Sequence, residues 1–283
     1  NYTLGVASVL SNLSLLMQDQ GQYGDAIKTA EEAWALFAQI DDLQGMMHVI
    51  YNWGALQHDL GNVEQARKHF EEAANLARQL GDQRVVGGAL QNLAAILVQM
   101  GEHDQARKYL EESLPLIHRS GDKKHTALVK RVYANLALAE GRIDEGLALI
   151  DESLEMLSPI GSDVDTAQSI LIKCRLLCRK GLLSEARLLV SQALVQLIKT
   201  GKPPLIVASL YVFAEILTEQ GDKIDALRAV TAANRINARY DLLLLPVTLM
   251  DINALNASVS AEIHAQVERE TAAIHVIDLI GLL

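Results

Sequence analysis

Asn12, Asn52 and Asn92 stand forty residues apart in a chain of 283. A carboxamide carries a donor and an acceptor together, so a row of them could pair with the peptide groups of an extended segment without reading its side chains. If the elements that bear them pack about 10 Å apart, successive asparagines meet every third residue of a strand rising about 3.3 Å per residue. Three neutral pairings of about 0.5–1.5 kcal/mol each fall short of the roughly 8 kcal/mol of micromolar binding, so anchors are needed besides. The same spacing also suits side chains that bond a neighbouring helix, or plain duplication of a repeat.

Tyr51 and Tyr211 could supply apolar anchorage, and Arg131, Arg175 and Arg179 could receive carboxylates. Lys123, Lys124, Lys130, Lys173 and Lys180 lie among those arginines, which suggests a locally positive stretch suited to an acidic peptide, a terminal carboxylate or an anionic effector, or else a solvated basic face. Other chemistry is thin. His48 and His58 lack a third ligand for a metal, so no metal is expected. Cys174 and Cys178 are four apart, too divergent on a helix to bridge easily. Packing accounts for the first, and the second is a candidate thiol that, with a nearby histidine, would make a cysteine-dependent enzyme. "TGKPP" at Thr200–Pro204 lacks the earlier glycine and the hydroxyl of a phosphate-binding loop. No H-E-x-x-H or G-x-S-x-G occurs. A non-catalytic chain without a cofactor is expected.

The composition points the same way. Half the residues are hydrophobic and few are aromatic, as in folded soluble chains. A formal charge of -10, from 35 acidic against 25 basic residues, disfavours nucleic acid as a direct partner. No apolar run is long enough to span a bilayer, so no membrane contact is expected. Two cysteines fit a reducing cytoplasm. The chain opens on Asn1 rather than methionine, which reads as a piece of a longer protein.

The elements that carry these residues are set by glycine. Gly21, Gly61, Gly101, Gly141, Gly181 and Gly221 are forty apart, with Gly81, Gly121, Gly161 and Gly201 halfway between. A glycine every twenty residues between helical patterns predicts a residue with φ > 0 that ends one helix before the next begins. Asp82, Asp122 and Ser162 could cap the following helices, and Pro203 and Pro204 suit a first turn. Small residues recur at three fixed offsets from the first glycine series: at Ser14, Gly54, Ala94, Ala134, Cys174 and Ala214; at Ala26, Ala66, Ala106, Gly146, Ala186 and Ala226; and at Ala33, Ala73, Ser113, Ser153, Ala193 and Ala233. These are positions where helices must approach closely. Leu90, Leu93, Ala94 and Leu97 exemplify the buried stripe of each first helix. A second face carries Asn12; His48, Tyr51, Asn52 and His58; Gln91 and Asn92; Arg131 and Asn135; Arg175 and Arg179; and Tyr211 and Glu215.

The run "NLSLLMQDQGQYGDAIKTAEEA" at Asn12–Ala33, with its small residue, glycine, aromatic and two alanines, resembles the tetratricopeptide repeat family. The resemblance covers about six repeats. Their forty-residue length is similar to the long-helix variety of Leu-Gly-Asn adaptors, kinesin light chains, bacterial peptide-sensing regulators and the sensor regions of MalT-like STAND ATPases. It implies an all-α, right-handed α-solenoid with first helices lining a concave groove that binds peptide, protein or a small effector. Residues 2–241 are expected to form six repeats, and 242–283 a degenerate seventh pair or cap, with Leu279–Leu283 folding back or meeting another domain. The chain is thus expected to be the sensor arm of a larger STAND-type regulator, any ATPase residing in a separate domain, or alternatively a constitutive scaffold adaptor.

Overall fold

The computed structural model describes residues 2–119, 121–242 and 252–272. Among them are fourteen α-helices and no strand. The helices are α1 (Tyr2–Asp19), α2 (Tyr23–Gln39), α3 (Leu43–Asp59), α4 (Val63–Leu80), α5 (Gln83–Met100), α6 (His103–Arg119) and α7 (Lys123–Ala139). They continue as α8 (Ile143–Leu157), α9 (Asp163–Arg179), α10 (Leu183–Thr200), α11 (Pro203–Gln220), α12 (Lys223–Tyr240), α13 (Ile252–Ala257) and α14 (Ala261–Ala272). A 3-10 turn at Ser158–Ile160, carrying Pro159, follows α8.

The glycine punctuation takes the expected backbone form. All ten glycines of the two series adopt φ between 65° and 88°, a region that L side chains reach only at an energetic cost. Two non-glycine residues do the same work: Asp41 and Asp241, at φ 53° and 51°, occupy the places in the series where glycine is missing. Short polar side chains tolerate this conformation best. Asp42, Asp82 and Asp122 then cap α3, α5 and α7, their Oδ1 atoms accepting from the backbone N–H of Gly45, Val85 and His125 at 3.0 Å each. Ser162 makes no such bond to the backbone.

The chain divides into two compact units, Asn1–Leu136 and Ala137–Leu283, with the boundary in the last turn of α7. In the first unit, helices pair as α1 with α2, α3 with α4 and α5 with α6, and each pair also packs on the next. The core fills around Phe37, Phe70, Leu90, Leu110 and Ile117, each at most 4% exposed. Burial of such a side chain contributes about 1.5–3 kcal/mol. Close approach is made possible by small residues and reinforced by their hydroxyls: Ser14 Oγ donates to the Ala26 carbonyl at 2.8 Å, and Ser113 Oγ to that of Gly87 at 2.7 Å.

In the second unit α9 pairs with α10 and α11 with α12, while α8 packs on α9 and α14 on α12. The α12–α14 contact is tied by Arg228 to Glu270 at 2.9 Å and Arg235 to Glu268 at 3.0 Å. Every small residue named at the three fixed offsets is buried in its unit. The expectation for Leu279–Leu283 lies outside the described residues.

Candidate functional site

In the first unit the residues singled out for ligand contact lie on α1, α3, α5 and α7, and their environments differ. Asn12 is exposed on α1, and His48 is exposed on α3. Asn52 is half-buried and has no hydrogen-bond partner among the described residues. It edges a cleft between α1, α2 and α3, lined also by Ser11, Ser14, Gln18 and Trp53. The cleft admits a body about the size of a water molecule. Gln18 is oriented there by its bond to Asp59, Nε2 to Oδ2 at 3.2 Å. The indole N–H of Trp53 is buried without a hydrogen-bond acceptor among the described residues.

Asn92 is engaged within the protein. Its Nδ2 donates to the Tyr51 hydroxyl at 3.1 Å, and its Oδ1 accepts from Gln91 Nε2 at 3.3 Å. The Tyr51 ring meets Phe70 edge-on, centroids 5.6 Å apart. Gly88 makes room for it, since a Cβ there would stand 3.0 Å from the Tyr51 hydroxyl. Gln91 is 1% exposed, so it acts as the inner support of Asn92 rather than as a surface contact.

Further along this face His58 Nε2 lies 3.1 Å from the Gln99 carboxamide nitrogen. Burial, and next the charge of Arg131, lower the His58 pKa to about 4, against the opposing effect of the Gln99 hydrogen bond. His58 is neutral at pH 7 in consequence. Arg131 and Asn135 are both half-buried on α7.

The second unit departs more from the positional expectation. Tyr211 is 1% exposed, its hydroxyl donating to Asn234 Oδ1 at 2.8 Å and accepting from Asn237 Nδ2 at 3.3 Å. Burial pushes its phenol up to about 12, opposed by the Asn237 bond. It offers no apolar surface to a ligand. The reason is that α11 packs against α9, α10 and α12, and its sequence is apolar on nearly every side.

The expected positive stretch is largely consumed by ion pairs here. Lys173 Nζ reaches Asp151 at 2.7 Å, and Lys180 Nζ reaches Asp144 at 2.7 Å. Arg175 is buried on α9 and lies beside Glu215 of α11, Nε to Oε2 at 3.5 Å. Neither of those two atoms has a hydrogen-bond partner among the described residues. Burial lowers the Arg175 pKa and raises that of Glu215, and each charge acts on the other in the opposite sense. Arg179 is exposed one turn further on.

The thiols are poor nucleophiles. Burial pushes Cys174 up to about 12, and burial together with the Glu215 and Glu219 charges pushes Cys178 up to about 11. A thiol attacks as the thiolate. Among the described residues no group of three His, Cys, Asp or Glu side chains converges to hold a metal ion. Among the same residues no helix is long and apolar enough to cross a membrane.

Tetratricopeptide repeat models match residues 6–40, 46–117 and 85–158, together just over half of the chain. The chain belongs to the tetratricopeptide repeat family. Solved structures share its fold at low identity. A Rap protein complexed with competence and sporulation factor is 10% identical, with a TM-score of 0.62, over 92% of this chain and 85% of that one. BtubC (BKLC) from P. vanneervenii is 20% identical, with a TM-score of 0.52, over 79% of this chain and 92% of that one. No curated protein gives a significant sequence match.

The repeat scaffold thus gathers Tyr51, Gln91 and Asn92 into one network and sets His58 near Gln99 and Arg131. It leaves Asn12 and His48 apart from both. Residues that position alone did not single out are Ser11, Gln18 and Trp53 at the cleft and Gln99 beside His58. Gln18 and Gln99, near the ends of α1 and α5, are polar residues close to hinge glycines; that was the available signal.

Proposed function

We propose that this chain is a non-catalytic recognition module, and that its first unit holds a peptide or protein segment against α1, α3 and α5 around the cleft at Asn52. The observation that carries this reading is Asn52 itself: a half-buried carboxamide with no hydrogen-bond partner among the described residues, beside an opening whose wall includes a tryptophan. A main-chain peptide group satisfies such a carboxamide on both sides, and the cleft has room for no more than a methyl-sized group beside it. Asn12 and His48, both solvated, would extend the contact along the same helices. Arg131, Asn135 and Arg179 remain candidates for the acidic groups of a ligand. The Rap neighbour was solved with a factor bound, which supports the reading without fixing the ligand.

We further assign the module to the sensor arm of a STAND-type regulator, in which segment binding biases the arrangement of the parent protein. The long repeat supports this assignment. A nucleotide-binding domain in the same polypeptide, with nucleotide turnover altered by the bound segment, is its direct check.

Trp34 and Trp53 are the only tryptophans, so intrinsic fluorescence reports the cleft. A panel of short peptides is screened for saturable fluorescence change, and hits are repeated with Asn52→Ala. Loss of the response with an unchanged melting temperature is expected. A response that survives the substitution removes Asn52 from the site, and a panel with no hits on the folded protein removes the recognition reading.

A further inference from the structure

One apolar face of α1 is open. Val9 and Leu16 are 65% and 57% exposed, whereas their counterparts in the five other repeats, twelve and five residues before the hinge glycine, are each at most 2% exposed. In α3 the counterpart of Val9 is Val49, which clusters with Ala30, Ala33 and Phe37 of α2. Gly45 of α3 seats the Phe37 ring, and Gly5 holds the same place in α1 with nothing within 4 Å of where a Cβ would stand. A helix that closes a repeat stack ordinarily presents a polar outer face. From Tyr2 to Gln18, α1 carries no charged side chain. The face thus has the composition of a buried one, and exposed apolar patches of this kind mark contact sites.

The stripe is its own complement. Tyr2, Gly5, Val9, Leu13 and Leu16 are spaced by three, four, four and three residues, the same order read from either end. At 3.6 residues per turn they fall within about 80° of arc centred on Val9. All five are exposed, while Ala7 and Ser14 on the opposite side are buried. Turned about a two-fold axis at Val9, the stripe sets Tyr2 against the partner's Leu16, Leu13 against the partner's Gly5, and Val9 against the partner's Val9. A large side chain then meets each open glycine seat, and no like charges face one another.

We propose that α1 is the contact surface of a homodimer, in which two copies of this chain pack antiparallel through this stripe with Val9 on the axis. Such a contact uses the same patch on both copies and closes on itself. Ser11 and Gln18, which line the cleft at Asn52, lie on the opposite side of α1, so the two surfaces are separate. A helix of 18 residues is about 27 Å long. A pair of them covers less than the roughly 800 Å² per partner of a standard interface, so the dimer is expected to dissociate on dilution.

Sedimentation equilibrium of the whole chain from about 1 μM to about 1 mM, the span of weak protein contacts, is expected to show a reversible monomer–dimer equilibrium. Val9→Asp places two carboxylates face to face on the axis and is expected to weaken the dimer at least about a hundredfold. Gly5→Leu fills the seat of the partner's Leu13 and is expected to weaken it at least about tenfold. Both sites are exposed, so both variants should keep the melting temperature of the dilute chain. Register is read by cross-linking. Val9→Cys is expected to bridge two chains under mild oxidation with diamide, whereas Leu16→Cys is not, because antiparallel packing holds the two Leu16 sites about 20 Å apart. A chain that stays monomeric throughout, a dimer that survives Val9→Asp or Gly5→Leu, or equal bridging at Val9 and Leu16 each overturns the proposal. A monomer that instead takes up a synthetic peptide with the sequence of α2 overturns it too, and assigns the face to a helix of that type.

Discussion

Asn92 Nδ2 donates to the hydroxyl of Tyr51 across the α3–α5 contact at 3.1 Å, so the residue that repeats Asn52 in sequence does not repeat its role. Its Oδ1 is also taken, by Gln91. Removing the carboxamide takes one hydrogen-bond partner from a partly buried hydroxyl and one from a buried amide. Asn92→Ala is therefore expected to destabilise the chain by about 1–3 kcal/mol, measured as a lower urea midpoint, whereas Asn52→Ala leaves that midpoint nearly unchanged. Tyr51→Phe should be less than additive with Asn92→Ala, the coupling falling in the range of about 0.5–3 kcal/mol found for residues in contact.

The helical scaffold was legible because it depends on local chemistry. A glycine every twenty residues, followed by a capping side chain, reads directly as a helix boundary, and small residues at fixed offsets mark close contacts. Asp41 and Asp241 were not legible as members of that series, since aspartate adopts positive φ only where a turn demands it. The candidate site was less legible for a different reason. Position in a repeat gives the direction of a side chain but not what its neighbours contribute. Tyr211 holds the repeat position of Tyr51, ten residues before a hinge glycine, yet α11 packs against three helices. Lys173 breaks the apolar pattern of its position because Asp151 of α8 is within reach of its amine, a fact that depends on tertiary structure.

His58 has a pKa of about 4 in the folded chain against 6.5 when unfolded, first from burial and next from Arg131. Between these values the unfolded state binds more protons, so this residue's contribution is complete above about pH 6.5 and is lost as pH falls toward 4. The difference in stability between the unaltered chain and His58→Gln is expected to shrink over that window. Arg131→Met should raise the His58 pKa, read from its ring resonances in an NMR titration. A His58 that titrates near 6.5 in the folded chain would contradict the enclosure described.

Two backbone positions give opposite expectations. A Cβ on Gly45 would overlap the ring of Phe37, which is 4% exposed and fixed in its cluster. Gly45→Ala is expected to cost about 1–3 kcal/mol through overpacking, despite the better helix propensity of alanine. Asp41→Gly relieves a left-handed conformation at an exposed site. It should stabilise by up to about 1 kcal/mol, because the greater freedom of glycine in the unfolded chain offsets part of the gain. Paired denaturation curves check both signs.

Cys178 provides the sharpest check on whether the chain carries thiol chemistry. It is 9% exposed, and its thiol is held at about 11 by burial and by the Glu215 and Glu219 charges. At pH 7.5 the thiolate fraction is then orders of magnitude below that of an ordinary cysteine, and access is restricted as well. Reaction with a thiol-specific disulfide reagent is expected to proceed at a rate set by opening of the fold and to accelerate sharply in denaturant. Glu215→Gln should lower the Cys178 pKa by removing one of the charges that raise it, yet leave the reaction slow because the enclosure persists. Rapid labelling of one thiol in the folded chain at neutral pH would restore Cys178 as a candidate nucleophile.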